Sequence, residues 1–328
     1  MISILSLKFV PKELHNMSST ELLSYYDNPR NFKIKDPRNK EWDNSDYSFP
    51  SNCLVFLTHG SYAVNEKIRR TTELTKTAFL RLIRNYSDFG TRKMVKKSGI
   101  PDKNVICFPG SRAIGDPNRE YKTQKEDDKL EQGKKFIRDS DFNSQVIIKN
   151  PGQFRKIGKS KIGKYHKDLE NSLSSAERNT GGSIGFDIHD TGTNLMNKEN
   201  DFDTFREEGF PEITLGTKEG ESCNSEILEF FAKKLKLYLG LKIFINEPFK
   251  GGFVTTKHGQ KNRQEENKGN GLKKSKRNLI QVEIGRYLYM KESTQEIDWE
   301  RMEILGEGIK RAITDTGIKF GEEYFKSI

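Results

Sequence analysis

A carboxylate stands in the middle of an apolar run, Leu279-Ile280-Gln281-Val282-Glu283-Ile284-Gly285-Arg286-Tyr287-Leu288-Tyr289-Met290. Ionising Glu283 in such a setting is costly unless something compensates, and buried carboxylates of this kind are often proton shuttles in hydrolytic sites. His59, in Leu57-Thr58-His59-Gly60-Ser61, follows a buried-strand run, where open α/β sheets gather ligands beyond the carboxyl ends of their strands. In Phe186-Asp187-Ile188-His189-Asp190, alternation puts Asp187 and His189 on one strand face. Two imidazoles from separate strand ends are half of a zinc site that a carboxylate and water complete, with Asp187 able to orient the second ring nitrogen. Taken singly, each histidine is equally an ordinary hydrogen-bonded loop or strand-end residue.

Two further segments carry charge to the same kind of place. Gly110-Ser111-Arg112-Ala113-Ile114-Gly115-Asp116-Pro117-Asn118-Arg119 sets two guanidiniums and an amide after a strand, suited to bidentate carboxylate recognition and to a developing oxyanion. A solvated basic turn explains either arginine alone. Asn246-Glu247-Pro248-Phe249-Lys250-Gly251-Gly252-Phe253 ends a strand with a glycine pair that lets backbone approach a ligand closely, Lys250 beside it; an ordinary β turn explains that pattern as well.

The elements that must position these residues alternate in type. Cys53–Leu57, Val105–Phe108, Ser183–His189, Leu241–Ile245 and the Glu283 run read as strands, and Glu73–Tyr86, Gln124–Ile137, Glu226–Leu239 and Trp299–Ile313 as helices, the third closed by Gly240 in a C-cap position. That order predicts an α/β fold with a mixed, mostly parallel central sheet flanked by helices. Residues 1–48 read as a polar N-terminal extension wrapped on the surface, with one short helix near Ser18–Tyr26. Residues 49–328 read as a single α/β hydrolytic domain, with a flexible basic loop at 257–278.

The chain has 328 residues, a net charge of +10 and 33% hydrophobic content, enough for one large core or two modest ones. That charge and a pI near 9.2 favour anionic partners, and the mean hydropathy of -0.80 is low for an enzyme. Lysines are spread over most of the chain, and Lys273, Lys274, Lys276 and Arg277 have no interleaved aromatic residue for base stacking, so a nucleic-acid partner is not expected. Cys53, Cys107 and Cys223 form no disulfide or zinc-knuckle spacing, which predicts a reducing cytoplasm. The first residues lack a signal-peptide pattern, and no apolar run approaches the roughly 20 residues that span a bilayer.

Taken in order, the segments resemble the N-formylglutamate amidohydrolase family. The resemblance rests on Thr58-His59-Gly60-Ser61, Arg112 through Arg119, Tyr165-His166, Asp187-Ile188-His189, Leu215-Gly216-Thr217, Asn246 through Gly252, and Gln281 through Met290, covering roughly residues 53 to 292. It implies a zinc-carboxypeptidase-like fold and zinc-dependent hydrolysis of an amide on a small anionic, N-formyl-like substrate. His59 and His189 would be two zinc ligands and Asp88 the third, with Glu73 as the alternative. Glu283 would take a proton from water and deliver it to the leaving amine. Arg112 would stabilise the oxyanion, Asn118 and Arg119 would hold the substrate carboxylate, and His166 and Lys250 would make pocket contacts. Departures are Thr58 in place of the family's proline, Pro117 inside Asp-Pro-Asn-Arg, Asp190 after His189, and Tyr62 where zinc carboxypeptidases carry a glutamate. The altered pocket lining leaves the acyl group open. A decayed scaffold that binds carboxylates or peptides without turnover is the second reading.

Overall fold

The protein is described by a computed structural model covering residues 17–39, 48–61, 63, 74–112, 115–127, 129, 155–193, 210–260 and 276–327. In chain order its main strands are β1 Cys53–Leu57, β2 Val105–Cys107, β3 Ser183–Thr191, β4 Ile213–Gly216, β5 Ile243–Ile245 and β6 Arg277–Gly285. Its helices are α1 Ser19–Tyr26, α2 Lys76–Tyr86, α3 Phe89–Lys97, α4 Gln124–Asp127, α5 Arg155–Thr180, α6 Ser225–Leu239, α7 Phe253–His258, α8 Trp299–Lys319 and α9 Glu322–Ser327. The six strands form one sheet in the order β2-β1-β3-β6-β4-β5. Every pairing is parallel except β4 against β6. The α/β fold with a mixed, mostly parallel sheet is the one the sequence predicts.

The two faces of the sheet differ, and alternation along the strands is the reason. Val55 and Leu57, then Ile184, Phe186 and Ile188, then Ile280, Val282 and Ile284 turn to the large core, which is completed by Met94 of α3, Phe231 and Leu235 of α6, and Leu305 and Ile309 of α8. Leu54, Phe56 and Leu279 turn the other way, against Ile162, Tyr165, Leu169 and Leu173 of α5. On that second face the strand residues nearer the C-terminal ends are Thr58, Asp187, His189, Gln281 and Glu283. An apolar surface thus becomes polar halfway along the strands.

Helix ends follow local chemistry. Asn224 caps α6 by accepting from Glu226 N at 3.0 Å, and Gly240 closes it with φ 68°, a left-handed position that suits glycine. Ser18 and Glu21 form a capping box on α1.

Two expectations change, and one element appears for which the sequence carried no expectation. The described N-terminal segment does not merely wrap the surface: Leu22 and Tyr26, four residues apart on α1, enter the large core, and the Tyr26 hydroxyl accepts from Phe210 N at 2.8 Å. Helix α5 appears where charge hid it, because its buried residues recur at helical spacing among lysines. The expected loop at 257–278 is narrower, since Lys257 and His258 end α7 and Arg277 and Asn278 open β6; residues 261–275 lie outside the described residues. Arg277 does not belong to a basic surface, being 1% exposed and paired with Glu170 at 2.7 Å and Glu177 at 2.8 Å. Most of the expected helix at Gln124–Ile137 also lies outside the described residues. Among those described, no helix is long and apolar enough to cross a membrane.

Phe231 is fully buried and meets Phe186 with ring centroids 4.7 Å apart. Phe231→Ala is expected to lower unfolding free energy by about 3–5 kcal/mol in urea titration; a loss below about 1 kcal/mol would show that this face of the sheet does not rest on α6.

Candidate metal and hydrolytic site

His59, Asp88 and His189 are brought together at the polar half of the second face, their potential ligand atoms all within 4.8 Å of one another. Each arrives by a different route. His59 leaves β1 two residues past its end, Asp88 precedes the first turn of α3, and His189 stands near the C-terminal end of β3. The loops are tied to each other: Asp88 N donates to the His59 carbonyl at 3.0 Å.

Asp88 occupies an N-cap position, where an aspartate normally accepts from the helix's free N–H groups. Here its side chain makes no capping bond. Oδ2 lies 2.7 Å from His189 Nδ1 and 3.5 Å from His59 Nδ1. The carboxylate has forgone a cap to sit between two imidazoles.

A second acid stands behind each ring. Asp116 Oδ1 is 2.7 Å from His59 Nε2, and Asp187 Oδ2 is 2.9 Å from His189 Nε2. Asp116 is itself fixed by Asn118 N at 2.9 Å and Arg112 Nη2 at 2.8 Å. Asp187 Oδ1 accepts from Thr58 Oγ1 at 2.5 Å, and Thr58 Oγ1 lies 2.9 Å from the Tyr165 hydroxyl. Asp116, hydrogen-bonded to His59 Nε2, stands where a carboxylate fixes the tautomer of a ligating imidazole, whereas Asp187 Oδ2 and His189 Nε2 are close but not aligned as a hydrogen bond.

Electrostatics follow from this burial. Burial alone would raise Asp88, but His59 and His189 hold it well below the usual carboxylate range. Asp116 also sits far below that range, burial being overcome by Arg112 and His59. Burial would lower His189, yet Asp187 and Asp88 push it well above the ordinary imidazole range. Around the two rings, three carboxylates face one guanidinium, Arg112, whose Nη1 is 3.9 Å from Asp88 Oδ1. Protons on the imidazoles or a divalent cation can add to the balance of this negative charge. His59 Nδ1 is buried without a hydrogen bond and faces Asp88. Two nitrogens and a carboxylate oxygen fit a first-row divalent ion such as zinc.

Glu283 sits beside this cluster, because β3 and β6 pair with His189 opposite Glu283, and its charge is felt at both His189 and Arg112. Its Oε2 accepts from Thr191 Oγ1 at 2.6 Å and its Oε1 from Gln281 Nε2 at 2.8 Å.

The remaining expected site residues are placed differently. Asn118 is 4% exposed, and its amide is engaged by protein, accepting from Val254 N at 3.0 Å and donating to Gln281 Oε1 at 3.4 Å. Arg119 Nη1 donates to the Asn118 carbonyl at 2.8 Å. His166 faces His258, Nδ1 to Nε2 3.0 Å, and burial followed by His258 pushes its pKa down to about 3, so at neutral pH it carries no charge for an anionic substrate. Lys250 is an exposed residue paired with Glu219 at 2.5 Å. Glu73 lies outside the described residues.

Sequence reasoning passed over Asp116 and the buttress under Asp88. Arg286 Nε donates to Asp190 Oδ1 at 2.7 Å, its Nη2 to the Ser87 carbonyl at 3.2 Å, and Tyr289 Oη to Asp190 Oδ2 at 2.5 Å. A Cβ on Gly90 would lie 2.2 Å from that tyrosine oxygen. The Arg-x-x-Tyr spacing after Glu283 was the available signal.

A family model described as N-formylglutamate amidohydrolase matches residues 51–290. Among solved structures, an N-formylglutamate amidohydrolase from Ralstonia eutropha is 17% identical with a TM-score of 0.63, the match covering 85% of this chain and 96% of that one. A gene product of Agrobacterium tumefaciens is 11% identical with a TM-score of 0.55, covering 91% and 99%. At these identities the likeness establishes the fold. No curated protein matches the chain.

Asp116→Asn keeps the shape of the side chain but weakens its hold on His59. If the group holds zinc, affinity measured by competition with a chelator is expected to fall about 10–100-fold at unchanged stoichiometry; unchanged affinity would remove Asp116 from the candidate metal centre.

Proposed function

Because the chain belongs to the N-formylglutamate amidohydrolase family, we propose that it is a zinc-dependent amidohydrolase acting on an N-formyl or similar N-acyl amino acid. The observation that carries this reading is the buried His59, Asp88 and His189 group with Glu283 opposite His189 on the neighbouring strand. His59, Asp88 and His189 would hold the ion. Bound there, zinc supplies Lewis acidity, polarising the amide carbonyl and acidifying water in the site.

The chain's own residues do the rest. Glu283 takes a proton from the attacking water and delivers it to the departing nitrogen as the C–N bond breaks and the C–O bond forms. With N-formylglutamate the products are formate and glutamate. Arg112, held by Asp116 and close to Asp88, faces the oxyanion that develops on the carbonyl oxygen, a role worth roughly 3–4 kcal/mol per donor. Arg119, on the same loop and partly buried, is the cation we assign to the substrate carboxylate. Lys250, exposed beside Gly251, is a rim contact, and neutral His166 positions rather than neutralises. Three free cysteines support a reducing compartment, and we place the protein in the cytoplasm.

Glu283→Gln is expected to keep metal content while kcat for N-formyl-L-glutamate drops roughly 10²–10⁴-fold; unchanged turnover would remove Glu283 from the mechanism. Chelation is expected to abolish turnover and zinc to restore it, whereas activity that survives a chelator with no metal left in the protein contradicts the zinc assignment.

A further inference from the structure

Val254, Asn118 and Gln281, from three segments far apart in the chain, form one line of hydrogen bonds that ends on a carboxylate. Val254 N donates to Asn118 Oδ1 at 3.0 Å, Asn118 Nδ2 donates to Gln281 Oε1 at 3.4 Å, and Gln281 Nε2 donates to Glu283 Oε1 at 2.8 Å. The direction of this line is fixed by its origin. A backbone N–H can only donate, so it must find the Asn118 carbonyl oxygen. That leaves the Asn118 amino group to donate, which turns the Gln281 carbonyl toward it and the Gln281 amino group toward Glu283. At the far end Glu283 Oε1 can only accept, while Thr191 Oγ1 donates to Oε2 at 2.6 Å.

Both side chains of the line are buried, Asn118 and Gln281 each 4% exposed. Their packing is close, since a Cβ on Gly252 would lie 2.1 Å from the Asn118 amide. The glycine lets the chain ahead of α7 press against Asn118 and bring Val254 N within reach.

We infer that Asn118 and Gln281 are positioning residues for the hydrolytic base. Through a one-way line of amide hydrogen bonds they hold the Glu283 carboxylate in one orientation, beside His189. The inference rests on the reading of Glu283 as the base. It gives Asn118 a task other than holding the substrate carboxylate and assigns one to Gln281, which no part of the mechanism otherwise uses. A base whose rotamer is locked spends less on orientation at the moment of proton transfer.

The test uses the zinc-loaded full chain with N-formyl-L-glutamate as probe. Gln281→Met keeps volume and removes the donor; kcat is expected to fall about tenfold, with KM within about twofold and metal content unchanged. Added to Glu283→Gln, the same change is expected to cost less than about twofold, because residues acting through one another are not additive. Asn118→Asp is the second variant. Its carboxylate still accepts from Val254 N but offers no amino group, so the Gln281 amide must turn and set its oxygen against Glu283. A kcat loss at least as large as that of Gln281→Met is expected with Gln281 and Glu283 both intact. If Glu283→Gln keeps full turnover, the base assignment falls and the inference with it. If Glu283→Gln is inactive but Gln281→Met keeps kcat, or costs the same factor in both backgrounds, positioning alone is overturned.

Discussion

Buried charge sets the terms for everything around the two imidazoles. Asp88, Asp116 and Asp187 are almost wholly withdrawn from water, where an unpaired carboxylate costs several kcal/mol. Arg112 offsets one of the three, and Arg286, also near Asp88, is already paired with Asp190. The two imidazoles, each with a nitrogen toward Asp88 and the other toward its own acid, stand where protons or a cation can offset the rest. A chain selected for stability alone has little reason to bury that arrangement. Well-packed apolar residues of similar volume would hold the fold as well or better.

The sheet makes the cost bearable by keeping its two faces distinct. One face is apolar through the middle of β3 and β6, at Phe186, Ile188, Val282 and Ile284, and carries the packing of α3, α6 and α8, before β3 reaches Asp190. The other begins apolar at Phe56 and Leu279 against α5 and ends in Asp187, His189, Gln281 and Glu283. Parallel register sets His189 beside Glu283 and Asp187 beside Gln281. Stiffness and chemistry are therefore supplied by the same strands on opposite sides. Below the centre, the Arg286, Asp190 and Tyr289 cluster holds the Ser87 carbonyl, so the turn carrying Asp88 is anchored to the strand carrying His189.

How much of this could be read from residues alone depended on length and contrast. The strands at Cys53, Ser183 and Leu279 stood out as apolar runs, and α6 as a strong amphipathic pattern with its closing glycine. Strand β4 has four residues, too few for any period to show. Helix α5 buries Ile162, Tyr165, Leu169, Leu173 and Ala176 at helical spacing, but lysines and glycines between them diluted the signal. Within the site, residues on strand ends were visible because position along a strand implies a face. Asp116 lay in a loop, where nothing local tells an orienting acid from a solvated one. Asn118 misled for the same reason: an amide beside two arginines suggests a ligand, while its partners Val254 and Gln281 lie more than a hundred residues away. Gln281 was within reach, since alternation alone sets it on the face of Glu283.

The central claim is that His59, Asp88 and His189 together hold one divalent ion. Its most direct measurement is the zinc content of the purified chain after exhaustive dialysis, set beside His59→Ala, Asp88→Ala and His189→Ala, each checked for a native melting transition. The account expects one ion per chain in the parent protein and near-complete loss in all three folded variants. Folded variants that keep the parent's zinc would place the ion elsewhere and contradict it.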